Sequence, residues 1–206
     1  MDKSGVFHVG DVRADKIMEW NIPSTWWSRG YEYPWAFSHA RPDTVVADMG
    51  CGYEFRPLKN ALAEVCKKVY AIDMRPAVLK LQTDAPALEI KVDDFTSDLR
   101  WLADASLDTI FCISVLEDVA NWRGALRNWK RILKRSGQVV LTFDITYNPN
   151  KPQHELYKGL NLTDFWNRAY QIGWMSEGPI NVTMPENAVV HTDYNLACYH
   201  CILRPE

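Results

Sequence analysis

Val45-Val46-Ala47-Asp48-Met49-Gly50-Cys51-Gly52-Tyr53-Glu54 is a short apolar run that closes in a Gly-x-Gly turn. Too short for a helix, the run reads as a strand buried in a parallel sheet. Gly50 and Gly52 lack a Cβ, so the chain can bend sharply there and leave N–H groups open to a ligand. A dinucleotide site of the G-x-G-x-x-G kind would need a third glycine where Phe55 stands. Asp48, two residues before the first glycine, also points elsewhere: a carboxylate at a strand's end repels a pyrophosphate and suits an amine. A glycine-rich βα turn without any ligand is the plain alternative.

The 206 residues are 47% hydrophobic and 24% charged, which suits one globular domain with a sizeable core. A net charge of −3 gives no electrostatic case for nucleic acid or a membrane surface. No apolar run approaches a membrane span and no signal peptide is visible, so a soluble, cytoplasmic protein is expected. Cys51, Cys66, Cys112, Cys198 and Cys201 are expected as reduced core thiols. Cys198 and Cys201, three apart in a strand, face opposite sides, and no second pair with ligand spacing exists, so no metal is expected.

Residues 1–43 precede the first strand and are crowded with aromatics, including Trp20, Trp26, Trp27 and Trp35. They read either as a lid that walls a ligand pocket or as a hydrophobic clasp on the sheet. Within a lid, Trp27 and Trp35 would supply ring faces, and Arg29, Tyr31 and Tyr33 polar contacts. A short helix is expected at 15–20, with Pro23 and Pro34 breaking any longer one. From there strands and helices alternate: strands at 44–48, 69–73, 88–95, up to Ile113, and 138–143. Helices are expected at 55–68, from near Pro76, and at 122–133, the last closed by basic residues and Gly137. Residues 146–161 form a surface insertion that carries His154, Thr163 caps a further helix, and 180–184 with 195–203 pair as closing strands.

Several acids fall at strand ends. Asp73, about twenty positions past the glycines, is placed to accept hydrogen bonds from two ribose hydroxyls; capping the next helix is the alternative. Asp93 and Asp94 end the third strand. Ser114, Glu117 and Asp118 follow the fourth, and Asp144 lies at the mouth of the fifth, where an open α/β sheet places reacting groups.

Asp-x-Gly-x-Gly after a strand, Ser114-x-x-Glu117-Asp118 and Arg131-Ile-Leu-Lys-Arg-Ser-Gly137 together resemble the class I methyltransferases that use S-adenosylmethionine. The resemblance covers about residues 44–204. Glu54 stands where the family often has a third glycine, Asp118 where it often has histidine, and Ser136 where it has glycine. The resemblance implies a Rossmann-like α/β fold: a seven-stranded, mostly parallel sheet, helices on both faces and a C-terminal antiparallel hairpin. Residues 44–206 would be the methyltransferase domain and 1–43 its cover. It further implies S-adenosylmethionine as cofactor. Asp48, Gly50 and Gly52 would hold its amino-acid end, Asp73 the ribose, and Asp94 with Phe95 the adenine, Asp93 being the alternative; Met74 would lie beside the adenine, and Cys51 and Ser114 would also contact the cofactor. Asp118 and Asp144 are candidate bases; Glu117 and His154 are candidate acceptor contacts. Base-gripping motifs are absent, so a small-molecule or sugar hydroxyl or amine is the expected acceptor. A binding module that never turns the cofactor over, a nicotinamide oxidoreductase and a structural α/β domain are the competing readings.

Overall fold

The computed structural model describes residues 3–53 and 57–206. The glycine position that Glu54 takes and the expected helix start at Phe55 lie outside the described residues. In chain order the elements are β1 (Ser4–Val6), β2 (Lys16–Ile17), β3 (Trp20–Asn21), α1 (Arg29–Phe37), β4 (Val45–Met49), α2 (Pro57–Val65) and β5 (Lys68–Asp73). A 3-10 turn at Pro76–Leu81, β6 (Leu88–Val92), β7 (Leu107–Ile113) and a second 3-10 turn at Leu116–Asp118 follow. The chain closes with α3 (Trp122–Ile132), β8 (Leu133–Thr146), α4 (Leu162–Ile172), β9 (Trp174–Ser176), β10 (Val190–His191) and β11 (Leu196–Pro205).

The main sheet has nine strands: seven follow one another in the order β1-β11-β8-β7-β4-β5-β6, and β9 and β10 pair with β11. The five from β8 to β6 are mutually parallel, and β11 and β1 add antiparallel partners at one side. Alternation along each strand divides the core in two. Ala47, Met49, Ile110, Cys112, Leu141 and Phe143 face α3 and α4. Val46, Phe111, Ile113, Val140 and Cys198 face α1 and α2. Trp129 of α3 and Trp174 are fully buried on the first side, where the Trp174 Nε1–H donates to the Leu126 carbonyl at 3.1 Å. All five cysteines are free and buried. Among the described residues no helix is long and apolar enough to cross a membrane.

Several local expectations are corrected. Residues 15–20 form no helix: β2 and β3 pair as a small hairpin, and Met18 turns the chain at φ 49° so that Ile17 is buried. Pro34 does not break α1 but sits inside it. Proline removes the N–H that would bond Gly30, and the Gly30 carbonyl accepts from Ala14 N–H at 2.9 Å instead. Gly137 stops no helix. The backbone turns extended at Leu133, and β8 starts there. Register then shifts between the Leu107–Leu133 and Thr109–Gln138 pairs, so residues 134–137 bulge out. Asn161, not Thr163, caps α4, accepting from the Asp164 N–H at 2.8 Å. Residues 180–184 form no strand; β11 pairs with β8, β1, β9 and β10. Helix α2 ends at Val65 because β5 already begins at Lys68.

Candidate functional site

The β4 turn is built as glycine permits. Gly50 and Gly52 both take left-handed φ, 73° and 76°. A Cβ on Gly50 would stand 2.6 Å from Val115 Cγ1, so the turn packs directly on the segment after β7. The turn's N–H groups are not left open as expected. Gly50 and Cys51 N–H both donate to the Ile72 carbonyl, at 2.8 and 3.0 Å. Gly52 N–H donates to Asp73 Oδ2 at 3.0 Å. Asp73 thus ties its strand end to the glycine turn, and its Oδ1 accepts from Arg75 N–H at 3.0 Å. Asp48 is buried beside this turn. Lys59, also buried, reaches across with its Nζ donating to the Cys51 carbonyl at 3.4 Å.

Helix α1 lies over this turn. Spacing of four puts Arg29 and Tyr33 on one face and Tyr31 and Trp35 on another. Arg29 and Tyr33 line a cavity of about 40 Å³ with Asp48, Gly50, Cys51 and Ser114. Tyr31 and Trp35, expected as lid contacts, instead enter the core, both against Phe7. Glu32 is fully buried between Arg29 and the sheet. Its Oε1 accepts from Arg29 Nη1 at 2.6 Å, and its Oε2 accepts from Ser114 Oγ at 2.6 Å and from the Thr142 hydroxyl. Burial works to raise the Glu32 carboxyl, but Arg29 and these hydroxyls hold it below the usual range. Arg29 Nε is buried with no hydrogen-bond partner among the described residues.

A pair of acids ends β7 and β8. The Asp144 N–H donates to Glu117 Oε1 at 3.1 Å. Glu117 Oε2 and Asp144 Oδ1 are both closed off from solvent with no hydrogen-bond partner among the described residues. Burial, then the Asp144 charge, pushes the Glu117 carboxyl well up. Burial and Glu32 push Asp144 up to about 7 against the pull of Arg29. Asp118 is exposed and only partial burial raises it. Asp144 shares strand parity with Thr142, so both stand on the side of the sheet that α1 covers.

An aromatic row crosses from the N-terminal segment to the insertion. Trp27 meets His191 edge-on at 5.8 Å, His191 stacks on Tyr194 at 4.0 Å, and Tyr194 stacks on Tyr157 at 4.6 Å. His154 joins it, 4.8 Å from Tyr194.

The other expected residues are more scattered. Met74 is 68% exposed. Asp93 accepts from Trp101 Nε1 at 2.8 Å and from Asp94 N–H at 2.8 Å. Asp94 is exposed and accepts from Thr96 N–H at 2.8 Å. Phe95, expected beside an adenine ring, is buried with its ring 5.8 Å from Trp129, because Trp129 fills the space below the strand end. Glu32 and Lys59 were missed by sequence reasoning. Arg29-x-x-Glu32 carried the signal, as opposite charges one helical turn apart in an aromatic segment; Lys59 carried none.

Residues 47–141 match the family model described as methyltransferase domain. Ubiquinone biosynthesis O-methyltransferases from strains of Xanthomonas oryzae pv. oryzae are 28% identical over 155 residues, covering 68% of this chain and 62% of theirs. The chain thus spans less than two thirds of the length of those relatives. A Listeria monocytogenes protein assigned to the S-adenosylmethionine-dependent methyltransferases superposes with TM-score 0.65 at 14% identity, covering 85% of this chain and 98% of its own. The cyclase SpnF superposes with TM-score 0.72 at 12% identity, covering 97% of this chain and 86% of its own. Residues 47–141 thus resemble a methyltransferase domain, and the chain shares the fold of a protein described as an S-adenosylmethionine-dependent methyltransferase.

Proposed function

We propose that this chain transfers a methyl group from S-adenosylmethionine to a hydroxyl or amine of a small-molecule or sugar acceptor. Residues 1–43 act as cover and residues 44–206 as the single methyltransferase domain. The observation that carries the reading is the Glu117–Asp144 pair: two carboxyl oxygens buried without a partner among the described residues, at the C-terminal ends of adjacent parallel strands. Buried polar atoms without partners are costly unless a ligand completes them. When bound, the cofactor supplies a methyl carbon already activated by the sulfonium charge. What the chain must do is hold the acceptor in line, exclude water and remove a proton.

Asp144 is the proposed base and Glu117 the residue that orients it and the acceptor; Asp118 stands further out. The Trp27, His191, Tyr194 and Tyr157 row, with His154, forms the acceptor wall, since aromatic faces pack on sugars and on flat rings alike. Asp48, Gly50, Cys51, Gly52 and Ser114 line the amino-acid end of the cofactor and Asp73 its ribose. Met74, Asp93 and Asp94 border the adenine, where Phe95 contributes from below as core. A cytoplasmic location accompanies this reading. A second reading, cofactor binding without methyl transfer, is kept by SpnF, a cyclase on the same fold.

Two experiments test this reading. Calorimetric titration with S-adenosylhomocysteine should give micromolar binding, about 8 kcal/mol. Asp73→Ala, which also frees the Gly52 N–H, should weaken it at least tenfold; binding equal to wild type would remove Asp73 from the site. With an active acceptor, turnover should rise with pH through about 7 as Asp144 ionises, and Asp144→Asn should cost about 10²–10⁴-fold. An unchanged pH profile in the variant would dismiss Asp144 as base. The stability effect has the opposite sign. Asp144 is raised on folding, so the unfolded chain ionises first, and its contribution declines as pH rises from about 4 to about 7.

A further inference from the structure

Helices α3 and α4 cover one face of the sheet, with Trp122, Leu126 and Trp129 of the first and Phe165, Trp166 and Ala169 of the second buried. Away from those residues the two helices enclose a groove of about 420 Å³, lined by Arg123, Arg127, Arg168, Gln171 and Ile172. Arg123 and Arg127 are one turn apart on α3, and Arg168 and Gln171 one turn apart on α4, so each helix contributes a row. Asp164 stands between the rows. Its Oδ2 accepts from Arg123 Nη2 at 2.6 Å, and its Oδ1 lies 3.4 Å from Arg168 Nε. Arg127 is exposed and has no side-chain partner among the described residues. Three guanidinium groups against one carboxylate leave the groove two positive charges in surplus, in a chain whose net charge is −3. Two of the three are already held in place. Arg123 lies over the Trp122 ring at 4.5 Å, and Arg168 Nη1 donates to Gln171 Oε1 at 2.9 Å. Groups fixed beforehand lose less freedom when a ligand arrives.

We propose that the α3–α4 groove is a second ligand site, which binds the phosphoryl group of a small phosphate monoester such as a sugar phosphate. Three observations select this class. The surplus of two charges matches a phosphoryl group, which carries about −1.5 to −2 near pH 7. Guanidinium forks take phosphate oxygens in pairs, and Arg127 is left to do so. The groove has the volume of a small-molecule site, and five lining residues are too few for a macromolecular interface. Ile172 is the apolar residue among them, so the rest of the ligand is polar. The site lies outside the helical layer and is independent of the cofactor reading.

The test is calorimetric titration of the whole chain with ribose 5-phosphate, ribose and inorganic phosphate. Ribose 5-phosphate should bind one to one and more tightly than inorganic phosphate, and ribose should not bind. Arg127→Gln removes an exposed, unpaired charge, so the variant should melt no lower than wild type and should bind ribose 5-phosphate about tenfold more weakly or worse. Arg127→Lys should fall between the two. Lys80→Gln, an equal loss of charge at an exposed residue in the turn between β5 and β6, should change the affinity by less than about twofold. Equal weakening in Lys80→Gln and Arg127→Gln would overturn the site and leave only the general field of the protein. Inorganic phosphate binding as tightly as ribose 5-phosphate would overturn the monoester. A short single-stranded RNA that binds more tightly than ribose 5-phosphate, and is lost in Arg127→Gln, would overturn the small-molecule assignment. No binding of ribose 5-phosphate at millimolar concentration would overturn the proposal outright.

Discussion

Gly50→Ala is expected to destabilise the protein by about 2–5 kcal/mol and to weaken S-adenosylhomocysteine binding more than tenfold. Two costs add. An alanine at φ 73° pays about 1–2 kcal/mol for the left-handed conformation. Its Cβ would also stand 2.6 and 2.8 Å from the two Val115 methyls, an overlap costing about 1–3 kcal/mol in a packed interior. Relief requires the β4 turn to move away from the segment after β7, and the cavity that Arg29, Asp48 and Ser114 line lies between those two. Gly178→Ala is the control: its φ is 88°, but the nearest atom to its Cβ is 3.7 Å away, so it carries the conformational cost alone. Thermal melts should show a fall on the order of 10 °C for Gly50→Ala and a clearly smaller one for Gly178→Ala. Equal, small shifts would mean that Val115 yields and that the turn is not held as described.

Glu32→Ala should cost about 3–5 kcal/mol, because it leaves the Arg29 guanidinium buried without its counter-charge. The Ser114 and Thr142 hydroxyls lose their acceptor in the same change. The pH dependence identifies the cause. The Glu32 carboxyl is lower in the folded state than in the unfolded one, so its contribution is complete above the ordinary glutamate range near 4.3 and is lost as pH falls through its lower folded value. The stability gap between wild type and Glu32→Gln, measured by urea melts, should be widest at neutral pH and close in acid. A gap independent of pH would assign the effect to packing rather than charge.

Much of the sheet was legible because its strands are short apolar runs ending in acids at fixed distances. Asp48, the glycines, and Asp73 further on set the β4–α2–β5 unit without reference to anything remote. Ser114 through Asp118 likewise marked the end of β7. What was not legible depended on contacts distant in sequence. Proline 34 is tolerated in α1 only because Ala14, twenty residues earlier, supplies the hydrogen bond that Gly30 would otherwise lack. β1 is three residues long and has no local pattern; it exists because β11 offers it an edge. Asn161 and Thr163 are both good caps, and the sequence had no means of ranking them. At the site, carboxylates at strand ends were visible, but that Glu117 and Asp144 adjoin, each with one buried oxygen that has no partner among the described residues, follows from β7 and β8 being neighbours.

The pairing of β1 with β11 bears on how anything reaches the interior. Ser4, Gly5 and Val6 are zipped to Cys201, His200 and Tyr199, and the other end of the N-terminal segment runs straight into β4 at the centre of the sheet. The stretch between is a belt buckled at both ends, not a door on one hinge. It does not turn on one hinge; it slackens along its length, and the entropy released by doing so grows with each residue set loose, by about 1–2 kcal/mol. Arg29 and Glu32 sit near the middle of that belt as its clasp, fastened to Ser114 and Thr142 of the sheet, so the hold of that ion pair and the tension of the belt are one mechanical quantity.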